Sequence, residues 1–139
     1  MFKMETEQLQ KQNLKQLSEN RILVFENDDE LSISLSRLLC RENFSVFIAN
    51  NIEQATELLN MEQISCIIFG LNQPFKRSCK QLSMISSHDQ KPNILVLSAF
   101  DWIEVQKELS GITIKHFMTK PVKQEQLIKQ ILEHKKSPI

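Results

Sequence analysis

At 139 residues, 41% of them hydrophobic and 24% charged, the chain suits one ordinary core and is too balanced to be disordered. Seventeen basic side chains offset seventeen acidic ones, so no net positive field favours nucleic acid or an anionic membrane. No apolar secretory core or bilayer-length stretch occurs, and the three cysteines Cys40, Cys66 and Cys79 show no metal-ligand spacing, so a cytoplasmic protein with reduced thiols is expected.

Residues 1–20 form a polar extension rich in Gln, Lys and Glu, with Leu9, Leu14 and Leu17 thinly spaced. So few apolar residues cannot hold a helix alone, which leaves either a frayed segment or a helix that packs on a second chain. From Arg21 the signals sharpen. Ile22-Leu23-Val24-Phe25 is a short continuous apolar run, the mark of a strand covered on both faces. The acidic start Asp28-Asp29-Glu30 then opens a helix with Leu31, Leu35, Leu38 and Leu39 at helical spacing. Ser45 to Ala49 reads as a second strand, and Asn50-Asn51 are capping types before a helix carrying Ile52, Ala55, Leu58 and Leu59.

Cys66-Ile67-Ile68-Phe69 is a third buried strand, ended by Gly70 and a loop containing Pro74, Lys76 and Arg77; Cys66 itself reads as a small buried hydrophobe. A weaker helix carries Cys79, Leu82 and Ile85, and Asn93 to Leu97 is a fourth strand. Trp102, Val105 and Leu109 line a helix that stops at Gly111, Ile112 to Met118 holds a fifth strand, and Leu127, Ile128, Ile131 and Leu132 face a last helix. Strand-helix alternation with buried strands predicts a doubly wound, five-stranded parallel sheet over 21–135, with a short tail at 136–139. The functional crevice of such a sheet lies beyond the carboxyl ends of its strands, at Glu26, Asn27, Asp28, Gly70, Ser98 and Lys120.

Those strand ends carry a resemblance. ILVFENDDE, CIIFGLNQP, ILVLSA and MTKP, in this order and spacing from Arg21 to His134, resemble the receiver domain of bacterial two-component response regulators, the CheY-like flavodoxin-type (βα)5 fold. The resemblance implies an acidic pair after the first strand, a phosphoacceptor Asp at the third, a magnesium ion and a phosphoryl group taken from a histidine kinase. Here the acidic pair falls on Glu26 and Asn27, and the acceptor position on Gly70. The Ser/Thr switch position is Ser98, the lysine is Lys120 and the aromatic switch position is Phe117.

Chemistry makes these departures consequential. An acyl phosphate needs a carboxylate nucleophile, which glycine lacks. Three carboxylates and one lysine give the intact family site a net charge of about minus two. Here Glu26 and Lys120 cancel, while Asn27 and Gly70 add nothing, so magnesium binding is expected to be very weak and no other cofactor is implied. Asp28 could contribute to a metal site, but it also suits a helix start. Gly70 could equally serve a tight turn. His88, His116 and His134 read as surface residues, and none is placed as a base for Ser98. Without an acceptor Asp, Lys120 would be left unpaired, so the longer Glu26 is expected to reach it.

The expected function is a pseudo-receiver: no enzyme, but a signalling module that binds a protein partner independently of phosphorylation. A histidine kinase or another signalling protein is the expected partner. A homodimer could form through 1–20 or through the face of the fourth helix, fifth strand and fifth helix, built around Trp102, Phe117 and 123–135. The alternatives are a flavodoxin-like ligand-binding or enzymatic domain, and a receiver phosphorylated at an unusual residue. Only two glycines and no Gly-rich phosphate loop stand against the enzyme.

Overall fold

The computed structural model describes residues 20–135, so the extension up to residue 19 and the tail 136–139 lie outside the described residues. Among the described residues, five strands alternate with five helices. They are β1 (Arg21–Phe25), α1 (Asp29–Arg41), β2 (Ser45–Ala49), α2 (Ile52–Met61), β3 (Cys66–Leu71), α3 (Phe75–Ser86), β4 (Asn93–Ser98), α4 (Trp102–Val105), β5 (His116–Thr119) and α5 (Gln124–Lys135). The strands form one parallel sheet in the order β2-β1-β3-β4-β5.

The period of two along each strand divides the core. Leu23, Phe25, Ile67, Phe69, Ile94 and Val96 pack with α2, α3 and α4 through Ala55, Leu59, Leu82 and Val105. Their neighbours Ile22, Val24, Ile68, Leu95 and Leu97 pack with α1 and α5 through Leu35, Leu39, Leu127 and Ile131. Every residue of β3 is buried, which is why its sequence is a continuous apolar run. The helix starts follow their caps. Asp28 accepts from the Leu31 N–H at 3.2 Å, and Asn51 accepts from the Gln54 N–H at 2.9 Å while Gln54 answers to the Asn50 N–H.

Four expectations need correction. Gly70 does not end β3: the strand runs on to Leu71, and Gly70 pairs with Leu97. Lys76 and Arg77 belong to the first turn of α3, not to a loop. The fourth helix is four residues long. Turns continue from it to Gly111, whose φ of 91° ends the segment, while Leu109 is buried from outside the helix. The fifth strand starts at His116, not Ile112; Ile112 and Ile114 satisfy their apolar character by packing on the core from the preceding loop.

Burial pushes the Cys66 thiol up to about 12 from 9.0, against a smaller lowering by Lys115. Burial, then Glu108, also raises Cys79. The folded state keeps the Cys66 proton where the unfolded chain releases it, so this contribution to stability is intact below 9.0 and is lost as pH rises toward 12. Urea unfolding at about pH 8 and about pH 10 should therefore show a loss of stability that Cys66→Ala reduces. Equal losses in the two proteins would contradict it.

Candidate functional site

The helix after β1 covers one face of the sheet and the helix after β3 covers the other. Because β1 and β3 are neighbours, their outgoing loops diverge and leave a crevice at their carboxyl ends. Glu26, the residue after β1, turns into this crevice and is 1% exposed.

A buried carboxylate persists only if its charge and lone pairs are met. Lys120, after β5, donates from Nζ to Glu26 Oε1 at 2.6 Å, forming the expected ion pair. Glu26 Oε2 accepts from Asn72 Nδ2 at 2.8 Å and from the Asp28 N–H at 3.0 Å. Asn72 also accepts from Lys120 Nζ at 2.7 Å through Oδ1. Its Nδ2 group is shared further with Asn27 Oδ1 at 2.9 Å and the Gly70 carbonyl at 3.2 Å. Sequence reasoning passed over Asn72. Its position two residues beyond Gly70, at the sheet's carboxyl edge, was the available signal.

The network explains Gly70. A methyl group there would overlap the Glu26 carboxyl group, its carbon 2.6 Å from Cδ and 3.0 Å from Oε2. Glu26 ends a flexible chain, but moving it would break bonds to Lys120, Asn72 and the Asp28 amide. Glycine is thus required by space and not by a turn. A carboxylate supplied from β1 fills the volume that a β3 side chain would need.

Other singled-out residues divide clearly. Ser98 is fully buried, but its hydroxyl donates to the Phe100 carbonyl at 2.7 Å and accepts the Phe100 N–H at 2.9 Å, so it is spent on its own loop. Asp28 caps α1 and is exposed. Trp102 is 46% exposed and meets half-buried Phe117 edge-on, with centroids 5.1 Å apart. His88 is half-buried, with Nε2 bonded to Asn60 and Nδ1 accepting the Gln90 N–H, so it is not a free surface residue. His116 is not a surface residue: it is half-buried, with an enclosed, unpartnered Nε2. The His134 side chain lies outside the described residues. Among the described residues, no group of three or more His, Cys, Asp or Glu could hold a metal ion. No helix there is long and apolar enough to cross a membrane.

Comparison with known proteins agrees with this fold. The family model for the response regulator receiver domain matches residues 22–132. The cell cycle response regulator CtrA of Brucella ovis is 28% identical over 111 residues, covering 80% of this chain and 48% of CtrA. The chain thus spans about half the length of the curated relatives it matches. A response regulator from Thermotoga maritima superposes with a TM-score of 0.73 at 17% identity, covering 84% of this chain and 98% of that one. A Burkholderia pseudomallei response regulator, solved with a phosphorylated aspartic acid and calcium, gives 0.70 at 19% identity, covering 84% and 69%. At these identities the structures speak for the fold.

The unequal burial of the ion pair, 19% exposed at Lys120 against 1% at Glu26, predicts unequal mutational costs. Lys120→Met strands a buried carboxylate and should cost about 3–5 kcal/mol in urea unfolding. Glu26→Gln leaves an ammonium that can still reach water, and should cost less. The reverse order would contradict this account of the network.

Proposed function

The chain belongs to the response regulator receiver domain family, and from that premise we propose that it is a receiver that does not accept a phosphoryl group and signals through protein contacts independent of phosphorylation. The observation that carries this reading is the Glu26–Lys120 pair lying over Gly70. Acyl-phosphate formation needs a carboxylate nucleophile, and position 70 has no side chain. Nor does the donor set suit magnesium. Both Glu26 oxygens are occupied, and Asn27 and Gly70 bring no negative charge. Ser98, turned onto Phe100, lacks a base to make it a substitute nucleophile.

With no acyl phosphate to bias a switch, its balance falls to packing and to partners. The surface best suited to contact is the α4-β5-α5 face. There the exposed edge of Trp102 is steadied by Phe117, and neighbouring Ile103 is 80% exposed. A rigid aromatic beside an exposed aliphatic residue is a typical anchor for a protein partner. A histidine kinase or another signalling protein fits this surface, and so does a second copy. No catalytic role is assigned to any residue.

Incubation with acetyl phosphate and magnesium, followed by intact-mass measurement, is expected to leave the wild-type mass unchanged. The paired substitutions Glu26→Asp and Gly70→Asp, which return a carboxylate to β3 and clear its space, are expected to gain a phosphoryl increment. An increment on the wild-type chain would overturn the proposal.

A further inference from the structure

On the α2–α3 side of Gly70 lies a cleft of about 200 Å³ that the Glu26–Lys120 network does not use. Asn27, Asn50, Gly70, Arg77, Ser78 and Gln81 are among its walls. We propose that this cleft binds a small free oxyanion non-covalently, a phosphate or a short carboxylate, with Arg77 as its counter-charge.

Charge is the first argument. Arg77 is the one charged residue among the described residues lining the cleft, and no carboxylate faces into it. The nearest buried acid, Glu26, is matched by Lys120 at 2.6 Å. Arg77 makes no ion pair or hydrogen bond among those described, so its five donors remain available.

Donor direction is the second. Asn72 reaches two of the polar walls, Asn27 and Ser78, and donates to the oxygen of each. Asn27 accepts from Asn72 Nδ2 through Oδ1 at 2.9 Å, which leaves its own NH₂ group to donate elsewhere. Ser78, 6% exposed, accepts the Asn72 N–H at 3.1 Å, and its hydroxyl proton has no acceptor among the described bonds. A guanidinium, an amide NH₂ and a buried O–H thus surround one space with their donors unspent. That set calls for an acceptor carrying negative charge. The first-turn amides of α3 add to it, because Pro74 caps the helix without a side-chain bond.

Size sets the ligand class. Pockets for drug-sized ligands run from about 300 Å³ upward, so a cleft of about 200 Å³ suits a single oxyanion and not a nucleotide. Arg77 is exposed, so binding should be weak, in the millimolar range.

The test is a ¹⁵N-HSQC titration of the full chain with inorganic phosphate, and separately with acetate, at fixed pH and ionic strength. Saturable shifts are expected at the amides of Asn27, Gly70, Arg77 and Ser78. Tighter phosphate binding would assign a phosphoryl-type ligand, and tighter acetate binding a carboxylate; either supports the site. Arg77→Gln should weaken binding by about tenfold. Lys76→Gln, which removes the same charge from an exposed neighbour outside the lining, should change it by less than about twofold. Asn27→Asp keeps the acceptor for Asn72 but replaces the donor with an anion, and should abolish binding. Shifts that never saturate, equal weakening by the Arg77 and Lys76 substitutions, or binding that survives Asn27→Asp would each overturn the proposal. Such a failure would leave the phosphorylation reading intact, since covalent transfer is read separately by mass.

Discussion

Glu26 follows β1 and Lys120 follows β5, with β3 and β4 lying between those strands in the sheet, yet the two charges meet at 2.6 Å. The contact is possible because position 70 carries no side chain, and it is tolerable in a buried place because Asn72 and the Asp28 amide meet the remaining lone pairs. One constraint therefore fixes several identities at once. Glycine is needed at 70 for space, the longer carboxylate at 26 for reach, and an amide at 72 to serve both members of the pair. Because Asn72 is also tied to Ser78 and Asn27, the network orients the neighbouring cleft and leaves its donors unspent.

Much of this was legible in the sequence. The apolar runs at Ile22–Phe25 and Cys66–Phe69 marked buried strands because both sides of these strands are covered, and the alternation of strands and helices dictated the sheet. The Glu26–Lys120 contact followed from the family resemblance, which set both residues at the strand ends without an acceptor Asp, joined to charge balance: a partly buried ammonium needs a carboxylate. What stayed hidden depended on three-dimensional detail. Gly70 reads as a turn in one dimension, and only its register with Leu97 shows it within the strand. Asn72 looks like an ordinary loop residue until its amide is seen facing four partners in the crevice. Ile112 and Ile114 carry a strand-like pattern, yet they bury themselves from a loop, which no periodicity could separate from a strand.

The departures from the family pattern form a coherent set. With glycine at 70 and asparagine at 27, negative charge drains from the crevice, and the one retained carboxylate is bound to the one retained lysine. On the proposed reading, the crevice that would collect a cation and a phosphoryl group is here a neutral, self-satisfied network, while the sheet and the contact of Trp102 with Phe117 leave an outer face for partners. A scaffold that keeps its surface and fills its reactive pocket is what a standing interaction module requires.

Trp102 offers the most direct reading of that claim, since it packs on Phe117 and sits just beyond Ser98. Its fluorescence should be followed during a magnesium titration, first alone and then with beryllofluoride, the mimic of a phosphoryl group. The account predicts a flat response in both, with direct calorimetry showing no binding that requires magnesium and beryllofluoride together. A saturable change that requires magnesium and beryllofluoride together would mean that the pocket still closes around a phosphoryl-like group, and the self-filled site would have to be abandoned.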